Sequence, residues 1–126
     1  MASENAALVA AYWQLYRLSR GPREDRLPAE ADAGAAEEVD ERIAGDPDGA
    51  LILLDDLLAD EGADLYFFAA GPLEQLLVEH GAAVAQAIAD RCAASPTWRE
   101  ALGAVWLDDH ERAALDPLHS FLPKRA

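Results

Sequence analysis

The sequence predicts an all-α fold in one compact domain of about six to seven helices. Three observations carry this. Ala50, Leu53, Leu54, Leu57 and Leu58 repeat at i, i+3, i+4, i+7 and i+8, which places one apolar stripe along a helix. Proline and glycine punctuate the chain as helix starts and ends do, at Asp46-Pro47, Gly71-Pro72, Gly81 and Ser95-Pro96. No apolar alternation bounded by a hairpin turn occurs, so no strand is expected. With 126 residues, the whole span 1–126 is read as a single domain.

The elements follow in order. A first helix is expected from Ser3 to Ser19, with Leu8, Ala11, Tyr12, Leu15 and Ser19 as its buried stripe. Trp13 lies off that stripe, with Arg17 four residues on, where a cation can rest on the indole. The segment 20–28 reads as a turn, and a second helix is expected over 29–44 with a thin seam of Ala29, Ala36, Val39 and Ile43. Asp46 as N-cap and Pro47 in the first turn open the third helix, which should end at Gly62. The apolar run 65–70 reads as a short buried helix or turn. A fourth helix should begin at Gly71-Pro72 and end at Gly81, with a fifth over 82–94. Ser95-Pro96 opens a sixth, with Trp98, Leu102, Val105 and Trp106 inward. Asp108 and Glu111 form a capping pair for a short helix, and Asp116-Pro117 starts a last turn.

A faint repeat at an offset of 49 aligns Val39 with Ile88, Ile43 with Cys92, Pro47 with Pro96, Leu53 with Leu102 and Leu57 with Trp106. Both copies read helix, capped proline turn, helix, a pattern that suits stacked helical hairpins of the HEAT or armadillo kind.

Charge is the first functional signal. The net charge is −14, and residues 29–79 hold 15 acids against Arg42 alone. Such a balance disfavours nucleic acid and anionic membranes as partners and favours a basic protein. The longest apolar run, 65–70, is far short of the ~20 residues that span a bilayer. The start MASENAALVAAYW lacks a basic segment before its apolar stretch, and Cys92 is the single cysteine, so a cytoplasmic location is expected.

The stretch AGPLEQLLVEHG at 70–81 and ALGAVWL at 101–107 resemble a bacterial all-helical domain family of unknown function. The matching positions are Gly71, Pro72, Leu73 and Glu74 at a helix start, His80 and Gly81 at a helix end, and Gly103 and Trp106 in a late Gly-x-x-Trp. The second helix departs from the pattern, carrying alanines where similar proteins have bulky aromatics. The resemblance implies a helical domain and brings no catalytic residue and no cofactor.

Two sets of acids are candidate sites. Glu37, Glu38 and Glu41, followed by Glu61 and Asp64, are similar in spacing to the magnesium site of all-α nucleoside triphosphate pyrophosphatases. Facing carboxylates of that kind can hold Mg²⁺ against a triphosphate, although Gly62 interrupts the second pair. Asp55, Asp56 and Asp60 lie opposite the leucine stripe of the third helix, with no paired cation in the local sequence. As solvated acids they should repel, so that Asp55→Asn with Asp56→Asn would stabilise by no more than ~0.5 kcal/mol per site. His80 shares the Leu73/Leu76/Leu77 face and is read as a partly buried residue at a helix C-terminus, whose ring donates to a carbonyl or favours the negative end of the helix; Cys92 is read as core; and His110 and His119 have no partner pattern. The expected function is therefore a small acidic binding protein, of a toxin-neutralising or nucleic-acid-mimicking kind. Its partner surface would comprise Trp13, Glu37, Glu38, Glu41, Asp55, Asp56 and Asp60; Trp13, Trp98 and Trp106 are read as packing residues, with Trp13 the least firmly placed of them and so the candidate for a surface anchor. The alternative is the magnesium-dependent hydrolase.

Overall fold

The computed structural model describes residues 5–19 and 33–122, and among these it contains helices and turns and no strand. The helices are α1 (Ala6–Ser19), α2 (Ala33–Gly45), α3 (Pro47–Ala59), α4 (Leu65–Phe68), α5 (Glu74–Ala94), α6 (Pro96–Gly103) and α7 (Asp109–Ala113). A 3₁₀ turn follows at Asp116–Leu118. The turn expected over 20–28, the first residues of the expected second helix and the start at Ser3 lie outside the described residues.

Local chemistry sets the starts of several helices. Asp46 stands in extended conformation and its side chain accepts from the Gly49 N–H, with Pro47 supplying a first-turn residue that needs no donor. Ser95 does the same for α6 through the Trp98 N–H. Asp108 and Glu111 close a reciprocal capping box on α7. The two halves of the sequence repeat thus share a capped proline corner, and Leu53 and Leu102 are both fully buried. The repeat ends there, because Leu57 is buried and Trp106 is exposed.

The packing is organised around α5. Helix α3 lies on α5, α2 touches both, α1 covers α2 and α3, and α6 and the 3₁₀ turn also pack on α5. Val9, Trp13, Ile43, Leu53, Leu54, Leu57, Phe68, Leu76, Ile88 and Leu102 belong to one continuous apolar core.

Three sequence expectations are corrected. Residues Leu65 to Ala94 follow one helical path and do not break at Gly71-Pro72 or at Gly81. Pro72 has no N–H, and its ring would collide with the carbonyl four residues back in a regular helix. The chain widens instead into a π turn over Ala69–Leu73, where the Glu74 N–H reaches the Ala69 carbonyl five residues back. Ala69, Pro72 and Leu73 are buried, so core packing holds the helix through this defect. Gly81 is a point of close approach and not a helix end: a Cβ there would lie 3.0 Å from Leu115 Cδ2.

The second correction concerns Trp13. It is fully buried, not an exposed anchor, and its indole N–H donates to the Leu57 carbonyl at 2.9 Å. Its ring meets Tyr12 and Tyr16 edge-on at centroid distances of 5.2 and 5.6 Å. The buried face of α1 runs through Asn5, Val9, Tyr12 and Trp13, one position round from the expected stripe. The bulk of the indole selects between two competing stripes, since the largest apolar side chain has most to gain from burial.

The third correction is Trp106, which is 75% exposed. Helix α6 ends at Gly103, and residues 105–108 are not helical. Val105 and Leu107 turn inward with Trp106 outward between them, so a two-residue alternation replaces the helical spacing from Trp98.

Replacing Trp13 by phenylalanine keeps an aromatic ring but removes the indole N–H and leaves a gap. The expected loss of stability is about 1–3 kcal/mol. Ile52→Ala, at a residue 58% exposed on α3, should change stability by no more than ~0.5 kcal/mol. Urea denaturation of the two variants checks this ordering, and equal losses would contradict it.

Candidate functional site

The acids of α3 are used within the fold. The Arg91 guanidinium of α5 grips Asp55, with Nε donating to Oδ1 at 2.9 Å and Nη2 to Oδ2 at 2.9 Å. The Trp98 indole N–H of α6 donates to the same Oδ1 at 3.0 Å. Asp55 therefore joins three helices, and the expectation of an unpaired, solvated acid is corrected at this position. Asp56 accepts from Asn5 Nδ2 at 3.0 Å, while Asn5 Oδ1 accepts from Arg42 Nη1 at 2.7 Å. Asp60 accepts from the Gly62 N–H at 2.8 Å and shapes the turn after α3.

The acids of α2 have the opposite arrangement. Glu37, Glu38, Asp40 and Glu41 are exposed. Arg42, the single base of that segment, is occupied by Asn5 and by Glu38 at 3.1 Å. Among the described residues the remaining ion pairs are Arg91 with Asp55 and His119 with Asp116, so none reaches Glu37, Asp40 or Glu41. Helix α5 brings a further carboxylate to this face. Gln75 Nε2 donates to the Asp40 carbonyl at 3.3 Å and to Glu79 at 3.1 Å, which ties the two helices together beside Glu79. Desolvation, and then the charges of Glu79 and Glu37, raise the Asp40 carboxyl above its ordinary range. Tyr12 borders the same corner from α1, and burial followed by the Asp40 charge pushes its phenol well above the usual tyrosine range.

Among the remaining candidates His80 has a structural partner. The His80 ring bonds the Ile43 carbonyl at 2.7 Å, in the last turn of α2; His80 itself lies within α5 and not at a helix end as expected. His80 and His110 both line a shallow groove of ≈ 490 Å³ beside α7. Desolvation and the nearby Glu111 raise Glu74 above the ordinary glutamate range. Burial pushes the Cys92 thiol up to about 11, against a smaller opposing pull from Arg99, so at neutral pH it stays protonated within the core.

The five carboxylates of the magnesium alternative are not assembled. Asp64 caps α4 through the Phe67 N–H and accepts from the Tyr16 hydroxyl, Glu61 lies exposed in the turn beyond α3, and Glu37, Glu38 and Glu41 stand on α2. Among the described residues no group of three or more His, Cys, Asp or Glu side chains is placed to hold a metal ion. Sequence reasoning found Glu37 and Glu41 but not Asp40, Glu79 or Tyr12. Asp40 could have been found from its i+3 spacing to Glu37; Glu79 depends on a helix contact that no local pattern encodes.

Helices surrounding one core, with acids crowded on the α2–α5 face, define a small acidic all-helical domain. Residues 23–115 match the model of DUF6869, a family of unknown function, and the chain belongs to that family. No curated protein and no solved structure matches it. No helix among the described residues is long and apolar enough to cross a membrane.

Two outcomes follow from the contrast between the acids. Asp55→Asn removes the charge that Arg91 grips, and should cost about 1–2 kcal/mol, a range kept modest by the solvent that reaches the pair. Thermal unfolding checks this, and stabilisation would restore the solvated reading. Asp40→Asn should act the other way. A carboxyl raised by folding favours the protonated form, so its stabilising contribution exists at acid pH and is lost as pH rises through its folded pKa. The Asn variant should therefore melt higher than wild type near neutral pH, and the gain should shrink as pH falls through the carboxylate range.

Proposed function

We propose that this chain is a cytoplasmic binding protein without catalytic function, whose acidic α2–α5 face engages a basic partner protein. The observation that carries the reading is the convergence of Glu37, Asp40, Glu41 and Glu79 from two helices, with no ion pair to any of them among the described residues. Among the described residues cations reach Asp55 and Glu38 and none pairs with these four acids. Like charges held together at a surface raise its free energy, and a cationic partner relieves that repulsion as it binds. Neutralising a basic toxin, or occupying a cleft that otherwise takes nucleic acid, is a role of this kind. The same charge repels nucleic acid itself.

The test is calorimetric titration with hexa-arginine at low and high salt. Binding should weaken at least tenfold between about 20 and 300 mM salt, as expected for contacts dominated by charge. A variant with Glu37→Gln, Glu41→Gln and Glu79→Gln should bind at least tenfold more weakly than wild type at low salt. Absence of binding by the wild type, or binding indifferent to the three changes, would overturn the proposal.

A further inference from the structure

Beside the acidic face, α5 and the end of α7 leave an open groove of ≈ 490 Å³. Its shape follows from the sequence. At Gly81, Ala82 and Ala83 the wall formed by α5 carries almost no side chain, and Ala114 lines the groove from the end of α7. Leu115 packs against the α5 backbone beneath it, 3.0 Å from where a Cβ on Gly81 would stand. Val78 also lines the groove and is 53% exposed, so an apolar side chain there still meets water. The carboxylates along the groove are Glu79 and Glu111, and none of its described lining residues is lysine or arginine. Glu79 belongs to two surfaces at once. It lines the groove, and Gln75 Nε2 donates both to it and to the Asp40 carbonyl on the acidic face. The groove is therefore continuous with the α2–α5 acids, and a partner that engages Glu79 stands at its mouth.

We propose that this groove seats an aromatic side chain that the basic partner carries among its cationic residues. This rests on the reading of the acidic face as a basic-partner surface and names a second element of what that surface recognises. Complementary charge speeds encounter and selects the partner, while an apolar anchor seated in a pocket supplies much of the energy of a lasting contact. A shallow trough with Leu115 beneath it and glycine, alanine and valine along it suits a flat ring, and the carboxylates beside it favour cations next to that ring. An open groove holds a free small molecule poorly, because much of such a ligand stays in water. A side chain on a segment already held by the acidic face needs no such enclosure.

Two heptapeptides of equal charge test this, one with six arginines around a central tryptophan and one with six arginines around a central alanine. The wild type should bind the tryptophan peptide about fivefold or more tightly than the alanine peptide at the same salt, as partial burial of a large apolar side chain allows. Ala82→Gln places a long polar side chain in the groove at an exposed helical position, and should bring the two affinities within about twofold of each other. Glu37→Gln with Glu41→Gln, at acids of α2 that do not line the groove, should weaken both peptides alike and keep the preference. In ¹⁵N-labelled wild type, the Ala82, Ala83 and Ala114 amide resonances should shift with the tryptophan peptide and much less with the alanine peptide. Equal affinity of the wild type for the two peptides, a preference that survives Ala82→Gln, or amide shifts confined to other surfaces overturns the aromatic seat, while salt-dependent binding of the alanine peptide leaves the acidic-face reading standing. Failure of the wild type to bind either peptide overturns both.

Discussion

The structure depends on a carboxylate that is not spent on the surface. Asp55 projects from the polar side of α3, where its neighbours in sequence suggest solvent, yet it meets Arg91 of α5 and the Trp98 indole of α6. A single side chain thereby links three helices. Arg91 also lies 6.0 Å from the centre of the Trp98 ring, and it donates to Ala87 within its own helix, so the guanidinium is held from several directions. The hydrophobic core gives this arrangement most of its stability, and the polar clamp adds a charged link between its helices.

This clamp divides the charge of the molecule into two populations. Asp55, Asp56 and Asp60 are consumed by Arg91, Asn5 and the Gly62 N–H, and Asp46, Asp64 and Asp108 cap helices. Among the described residues Glu38 pairs with Arg42 and Glu79 accepts only from Gln75, while Glu37, Asp40 and Glu41 have no ion pair. Arg42 stands within α2 but is drawn aside to Asn5 and Glu38, which leaves the Asp40 side of that helix negative. A charge count along the sequence cannot separate these populations, because both fall within the same acidic stretch. The separation is made by which helix each acid faces, and it moves attention from the third helix to the contact of α2 with α5.

Much of the fold was legible because it is written locally. The leucine repeat of α3, the Asp46 and Ser95 caps and the Asp108–Glu111 box each depend on residues within a few positions of one another. What was not legible depends on distance in the chain. Gly81 resembles a helix end until Leu115 is known to press against it. Pro72 resembles a helix start until the buried residues around it are seen to carry the helix through a π turn. Trp13 and Trp106 exchange their expected environments, one because an alternative stripe of α1 buries more surface, the other because α6 stops early. The candidate site was half visible: the α2 acids appear in the sequence, but the Glu79 and Tyr12 that complete the corner are brought there by packing.

The most direct test of this division of charge is a double-mutant cycle on Asp55 and Arg91, using Asp55→Asn, Arg91→Met and the pair, with stability measured by denaturant unfolding. If Asp55 is an internal clamp, the two changes should be strongly non-additive, with a coupling of about 1–2 kcal/mol in favour of the native pair. Additivity within about 0.5 kcal/mol would mean that Asp55 is one more solvated acid, and that the distinction between internal and outward carboxylates does not hold.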